Sequence, residues 1–306
     1  MPDQINIQGV TPVVNTFFGA SIDSSSANFV FTGVPYDNTS TYRRGSKQGP
    51  AAIRAASQHI ESYCLQENVN IDASKLPIAD IGDISFDSES VQSMLKAVES
   101  VVAQISQVDK VPILIGGEHT LTLAAVRALP RDIVLMQFDA HMDLRDRFQD
   151  EEFSHACVQR RIIEYLGPDH LMQIGVRAVA QEEYEYAKNQ NITFYTSDDI
   201  RKAGAATIAQ QINDAIPPGP PVYIAIDMDV LDPAYAPAVG NPEAGGLTIP
   251  ELLTILRVIT PRAAIFDVTE VAPQYDQGIT AITAARIITT FLCIQAYRRS
   301  LVATDG

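Results

Sequence analysis

The sequence predicts an α/β fold in which a central, mainly parallel sheet is covered by helices on both faces. Short, β-branched, apolar runs alternate with longer segments of helical periodicity along almost the whole chain. The short runs read as largely continuous apolar stretches, as strands buried on both faces do. A chain of 306 residues that is 46% hydrophobic can bury a large core. The reading is a single domain over 1–306, with residues 1–25 as an arm laid over it or against another subunit.

In chain order, the candidate strands are Phe29 to Val34, Val111 to Ile115, Ile133 to Phe138, Leu171 to Val176, Ile192 to Tyr195, Val222 to Ile226 and Ala263 to Val268. Between them, Pro50 to Leu65, Val91 to Ile105, Leu121 to Leu129, His155 to Leu166, Pro250 to Val258 and Thr280 to Ala296 carry apolar residues at helical spacing. The run Pro217, Pro218, Gly219, Pro220, Pro221 reads as a rigid turn delivering the chain into the next strand rather than as a linker.

Composition removes several classes of function. The net charge is −15, and no stretch gathers Lys and Arg as a phosphate-tracking surface requires, so nucleic acid is not an expected partner. An acidic protein favours a small cationic substrate, weakly. No basic segment followed by an apolar one opens the chain, and no stretch approaches the roughly 20 uninterrupted apolar residues of a membrane span. Neither export nor a membrane location is expected. Cys64, Cys157 and Cys293 are odd in number, far apart and free of CxxC spacing, which argues against a disulfide framework and a thiolate zinc site. A reducing, cytoplasmic compartment follows.

In open α/β sheets ligands bind beyond the carboxyl ends of the strands, and there the unusual residues fall. One candidate strand ends in Gly116, Gly117, Glu118, His119, Thr120, another in Asp139, Ala140, His141, Met142, Asp143. A third ends in Asp227, Met228, Asp229, and a fourth in Thr269, Glu270. In extended backbone Asp139, His141 and Asp143 share one face, as do Asp227 and Asp229. Taken singly, a DxD or a histidine after two glycines is a capping or turn residue, and no GxGxxG or GK[ST] makes the glycines a phosphate loop. Together, four carboxylates and two imidazoles converging on one edge demand cations, and two dications offset four carboxylates. Carboxylate and imidazole without thiolate suit manganese first, with iron, cobalt, nickel and zinc as alternatives.

At these residues the sequence resembles the ureohydrolase superfamily, the arginases and agmatinases. The matching segments are GGEHT (Gly116 to Thr120), DAHMD (Asp139 to Asp143), SHACVQRR (Ser154 to Arg161), DMDVLDPAYAP (Asp227 to Pro237) and DVTEVAP (Asp267 to Pro273). The resemblance implies an arginase-like three-layer α/β/α sandwich, two Mn2+ per subunit, and a homotrimer or homohexamer. Carried over by position, His119, Asp139, Asp143 and Asp227 would bind one metal and Asp139, His141, Asp227 and Asp229 the other. Asp143 and His155 would move protons, and Glu270 would receive a guanidinium group. A metal-bridging hydroxide would attack that group and release urea.

For the substrate, Arg145 stands where arginases have Asn, and Ala178, Val179, Ala180 stand where arginases place carboxylates. SHACVQRR, NPEAGGLT (Asn241 to Thr248) and YRRGSKQGPAAIR (Tyr42 to Arg54) resemble the agmatinase form. Agmatine, hydrolysed to putrescine on the way to polyamines, is the leading substrate; aminopropylagmatine, guanidinobutyrate and arginine are alternatives. Arg145 and Arg147 would bind a carboxylate in a guanidino acid, or pair with Asp146 and Asp150 in a solvated loop, the preferred reading. Met142 should point away from the metals and Cys157 should pack inward. A two-metal hydrolase of another bond, or an inactive metal-binding regulatory subunit, completes the alternatives.

Overall fold

A computed structural model describes residues 7–21, 23–71 and 77–304, so residues 1–6 and 22 of the expected arm lie outside the described residues. In chain order the elements are β1 (Val10–Thr11), β2 (Phe29–Val34), α1 (Gly49–Ser57), β3 (Tyr63–Cys64), β4 (Val69–Asn70), β5 (Ile78–Ile84), α2 (Val91–Ser106), β6 (Val111–Gly116) and α3 (Leu121–Arg127). There follow β7 (Val134–Phe138), α4 (Val158–Leu166), β8 (Leu171–Val176), α5 (Gln181–Asn189), β9 (Thr193–Thr196), α6 (Ser197–Ala203), α7 (Ala205–Ala215), β10 (Val222–Asp227), α8 (Ile249–Ile259), β11 (Ala263–Thr269) and α9 (Ile279–Thr304).

The described residues form a nine-stranded sheet in the order β1-β5-β2-β6-β11-β10-β7-β8-β9, with β3 and β4 as a separate hairpin. Each pair in the large sheet is parallel except the short edge strand β1, which runs antiparallel to β5. Side chains alternate between two apolar layers: Val222, Ile224 and Ile226 of β10 pack with α1 and α6 to α9, while Tyr223 and Ala225 pack with α2 to α5. Every residue of β10 is buried. Each such Val or Ile contributes about 1.5–3 kcal/mol relative to exposure. This is the α/β/α sandwich with a mainly parallel sheet that the sequence predicts.

Several boundaries differ for identifiable reasons. The segment expected as one helix from Pro50 to Leu65 leaves helical geometry after Ser57, and the chain turns into the β3–β4 hairpin. Cys64 there is bonded to Cys293 of α9, which corrects the reading of three unpaired cysteines and removes the cysteine argument for a reducing compartment. Two thiols 229 positions apart in sequence carry no local spacing signal. Helix α9 outruns its predicted end, and its Ile279–Arg298 stretch is long and apolar enough to cross a membrane; 78% of that window is buried inside the fold, as in a core helix. Strand β5 was not anticipated, because Asp80 and Asp83 interrupt its apolar pattern; buried Arg54 of α1 neutralises them at 2.8 and 2.5 Å. Its neighbour β1 is part of the expected arm, and Phe17 from the same segment stacks on Phe31 of β2 with ring centroids 4.6 Å apart.

Candidate metal centre and active site

The strands β6, β11, β10 and β7 are consecutive neighbours in the middle of the sheet, so their carboxyl ends lie side by side. Their placement depends on a close approach: a Cβ at Gly117 would stand 1.9 Å from the Tyr36 carbonyl oxygen, and the Gly117 and Glu118 amides donate to the carbonyls of Val34 and Tyr36. The glycines therefore serve packing rather than phosphate binding. The extended-strand reading of the ligands needs correction, because β7 stops at Phe138 and β10 at Asp227. Asp143 reaches the site from a left-handed backbone with φ 52°, Glu270 does so with φ 64°, and Asp229 sits in a one-turn 3-10 helix. Such backbone strain in non-glycine residues persists where surroundings over-determine it, and it clusters at functional sites.

Asp139 is the hub. Its Oδ2 lies 3.1 Å from His119 Nδ1 and its Oδ1 3.4 Å from His141 Nδ1. Asp143 Oδ2 is also 3.1 Å from His119 Nδ1, Asp229 Oδ2 is 3.0 Å from His141 Nδ1, and Asp227 Oδ2 is 3.7 Å from His119 Nδ1. Two sets, His119/Asp139/Asp143 and Asp139/His141/Asp229, each gather ligand atoms within 4.8 Å of one another and share Asp139. Adjacent ligands around an octahedral ion with bonds of about 2.1 Å stand about 3 Å apart. Neither ring nitrogen of buried His119 has an aligned hydrogen-bond partner, although carboxylates crowd it. An orphaned imidazole inside a carboxylate ring fits a pair of divalent cations.

Proton affinities in the metal-free chain point the same way. Burial would depress the His141 imidazole, but Asp229 and Asp139 push it up to about 12. His119 is likewise raised well above the histidine range, against burial, by Asp139 and Asp143. Burial opposes ionisation of Asp139, yet the two imidazoles hold its carboxyl far below the usual range. Burial and then Asp139 raise Asp143 to about 7, and burial with Asp229 and Asp139 lifts Asp227 well above a normal carboxyl. Protons on the imidazoles thus carry positive charge that dications would otherwise supply.

Surrounding groups fix this cluster. Gln137 Nε2 donates to Asp139 Oδ2 at 2.7 Å, and Gln173 Nε2 donates to Gln137 Oε1 at 2.5 Å and to the Met142 carbonyl at 2.7 Å. Both amides are fully buried on paired positions of β7 and β8. The Ala140 amide donates to Asp229 Oδ1 and the Asp229 amide to Asp227 Oδ1. Glu270 Oε1 accepts from the His119 amide at 2.9 Å. Met142 is buried with only its carbonyl engaged here, and Cys157 packs inward beside Ser154.

His155 opens a 3-10 turn ahead of α4, and its backbone N–H donates to Thr39 Oγ1 at 3.1 Å. The Thr39 hydroxyl gives its own hydrogen to buried Glu118 Oε1 at 2.7 Å. At 3.3 Å from Thr39 Oγ1, His155 Nδ1 is therefore the donor, which leaves Nε2 with the lone pair in the neutral ring. Burial and the nearby His141 and His119 lower its pKa to about 4. Sequence reading singled out none of Thr39, Glu118, Gln137 or Gln173 as functional; a glutamine inside an otherwise apolar strand was the available signal.

A cavity of about 350 Å³ opens over the cluster, lined by seven of the eight predicted residues, with Asp139 buried behind them. Its lining also includes Arg145, Phe148, Ala178, Val179, Ala180 and Glu243. Arg145 pairs with Glu182 at 3.0 Å and Glu183 at 3.7 Å, while Arg147 binds Glu152 and the Asp150 carbonyl and Asp146 binds Arg161. The arginines are neutralised, by other acids than the sequence suggested.

Comparison with known proteins agrees with this geometry. A family model described as the Arginase family matches residues 27–293. The chain is 36% identical to an N(1)-aminopropylagmatine ureohydrolase of Thermococcus kodakarensis, with 87% of this chain and 90% of the relative covered. It is 34% identical to an agmatinase of Pyrococcus horikoshii, with 88% and 92% covered. The solved structure of the agmatine ureohydrolase of Thermoplasma volcanium superposes with a TM-score of 0.88 at 37% identity, covering 94% of this chain and 97% of that one. The chain belongs to the arginase family and is an agmatinase-like ureohydrolase, an enzyme that hydrolyses a guanidino compound.

Proposed function

We propose that this enzyme hydrolyses agmatine to putrescine and urea, with two Mn2+ held by His119, Asp139, Asp143 and Asp227 and by Asp139, His141, Asp227 and Asp229. The observation that carries the reading is the pair of ligand sets sharing Asp139 beside a cavity whose lining is apolar at Ala178, Val179 and Ala180. An α-amino acid would find no carboxylate on that segment, and Arg145 is paired with Glu182 at 3.0 Å and lies 3.7 Å from Glu183. Two divalent cations would supply a water acidic enough to ionise near neutral pH.

The remaining work falls to side chains. Glu270, 6% exposed and anchored by the His119 amide, holds the planar guanidinium by charge-assisted hydrogen bonds and orients its carbon. Asp143 passes a proton to the departing amine. His155, with its tautomer set by Thr39, exchanges protons with solvent through Nε2. Phe148, edge-on to the His155 ring with centroids 5.9 Å apart, shields that exchange from one side.

Aminopropylagmatine is the second reading. A neighbouring cavity of about 380 Å³, lined by Asn38, Ser40, Glu89 and Glu151, shares Thr41 and Phe148 with the first and offers room for a longer amine. A cytoplasmic location and assembly as a homotrimer or homohexamer complete the proposal, and rest on the family. The test is urea release by the manganese-loaded protein offered agmatine, aminopropylagmatine, guanidinobutyrate and arginine in parallel, with Asp139→Asn as control. Urea from agmatine in preference to the others supports the reading; silence on all four, with two metals bound, sinks it.

A further inference from the structure

We infer that Glu243 is a specificity-determining residue whose carboxylate receives the ammonium at the far end of the substrate. The inference rests on the guanidino-amine reading above. It begins with the charges that line the cavity. His119, His141, Asp143, Asp227 and Asp229 belong to the metal cluster, Glu270 to the guanidinium and His155 to proton exchange. Arg145 and Glu183 pair with each other, and Glu183 also accepts from the Leu144 and Ala180 amides. Glu243 is left over.

No Lys or Arg side chain pairs with its carboxylate among the described ion pairs: His141 Nε2 stands 3.9 Å away, too far for a hydrogen bond, and the nearby Arg177 guanidinium acts on it only through space while giving its hydrogen bonds to backbone carbonyls. Its side chain is 46% exposed, so the carboxylate meets solvent in the cavity and becomes partly desolvated when a substrate arrives. Orientation is fixed by the backbone. Arg177 Nη2 donates to the Glu243 carbonyl at 2.8 Å and to the Asp229 carbonyl at 2.6 Å, and Arg177 Nε donates to the Ala244 carbonyl at 3.2 Å. Asp232 Oδ2 accepts from the Gly245 and Gly246 amides at 2.8 and 3.2 Å. One guanidinium therefore ties the Glu243 segment to the segment bearing Asp229, which is preorganisation for a ligand spanning both.

Reach is consistent. A Cβ on Gly240 would lie 3.0 Å from Glu270 Oε2, so the same loop begins against the guanidinium carboxylate. Glu243 follows three residues later, at most about 10 Å of extended chain away. A short methylene chain with a guanidinium at Glu270 fits its second cation within that span. A guanidino acid would bring a carboxylate there instead, against like charge.

The test is steady-state urea release from agmatine and from guanidinobutyrate by manganese-loaded wild type, Glu243→Gln and Glu243→Asp, with manganese affinity measured on each. The amide should raise the agmatine KM about tenfold while leaving the loss out of kcat, because it removes binding common to ground and transition states. It should not raise the KM for guanidinobutyrate, and the shorter acid should recover part of the loss. Manganese affinity should match wild type. An unchanged agmatine KM in Glu243→Gln overturns the inference, as does an equal rise for both substrates. A loss that follows weakened manganese binding would instead make Glu243 a support for His141. A wild type inactive on every guanidino amine would fail the substrate reading and this inference together; an active wild type with an indistinguishable variant fails this inference alone.

Discussion

Replacing Gln137 by Leu tests whether the buried amides position the metal cluster or merely fill the core. The substitution keeps approximate volume while deleting the donor to Asp139 Oδ2 at 2.7 Å and the acceptor of Gln173 Nε2 at 2.5 Å. A hydrogen bond to a charged group contributes about 1.5–3 kcal/mol. Expressed in metal binding, that range corresponds to about 10–100-fold, the usual consequence of removing a group that orients a metal ligand. Gln173 would keep its bond to the Met142 carbonyl, so the 139–143 segment should stay folded. Manganese affinity and stoichiometry by competition with a chelating dye, with melting of the metal-stripped protein alongside, separate the two roles. Gln173→Leu should weaken binding less, and the double variant little more than Gln137→Leu, because one acts through the other. Two ions bound at wild-type affinity, with a lowered melting temperature of the stripped protein, would refute the positioning argument and leave a packing role.

Four further outcomes are expected. The metal-stripped protein should lose stability progressively as pH rises from about 6.5 toward about 12: His141 is held at about 12 against an unfolded value of 6.5, so its contribution is complete below the unfolded pKa and lost as pH rises through the folded one. Melting curves with and without manganese check this, and the loaded protein should be flatter because metal replaces the protons. Glu270→Gln keeps an acceptor for the His119 amide but loses the anion, and kcat/KM should fall about a hundredfold or more with two metals still bound. Thr39→Val removes the hydroxyl between Glu118 and His155; a drop of about tenfold in kcat with a displaced pH profile, restored by Thr39→Ser, would establish its positioning role. Cys64→Ser opens the link to Cys293 and should lower stability by about 2–5 kcal/mol in urea denaturation, with unchanged KM because the bridge does not line the cavity.

Much of the site was readable because its chemistry is local in sequence. Asp139, His141 and Asp143 lie within five residues, Asp227 and Asp229 within three, each directly after an apolar run that could only be a buried strand. The sheet's parallel character followed from those same runs. What escaped depends on contacts between distant segments. Ile78 to Ile84 reads as interrupted by two acids until Arg54 is placed against them. Helix α5, with three glutamates in Gln181–Asn189, buries just Glu183 and Ala187, so its apolar stripe is too narrow for periodicity to reveal. The Cys64 partner is invisible to spacing rules. The left-handed backbones at Asp143 and Glu270 likewise emerge only from the fold.

The strand order has a consequence for synthesis on the ribosome. Strands β10 and β11 are made last of the nine, yet they occupy the middle of the sheet, between β6 and β7. A nascent chain that has emerged only as far as β9 would, with its early strands in their final places, hold the His119 and Asp139 ends apart across a gap of three strand spacings, about 14 Å. The cluster closes when the final third of the polypeptide threads into that gap. An incomplete chain therefore lacks the full set of candidate metal ligands, and metal capture would report that the whole domain has been delivered.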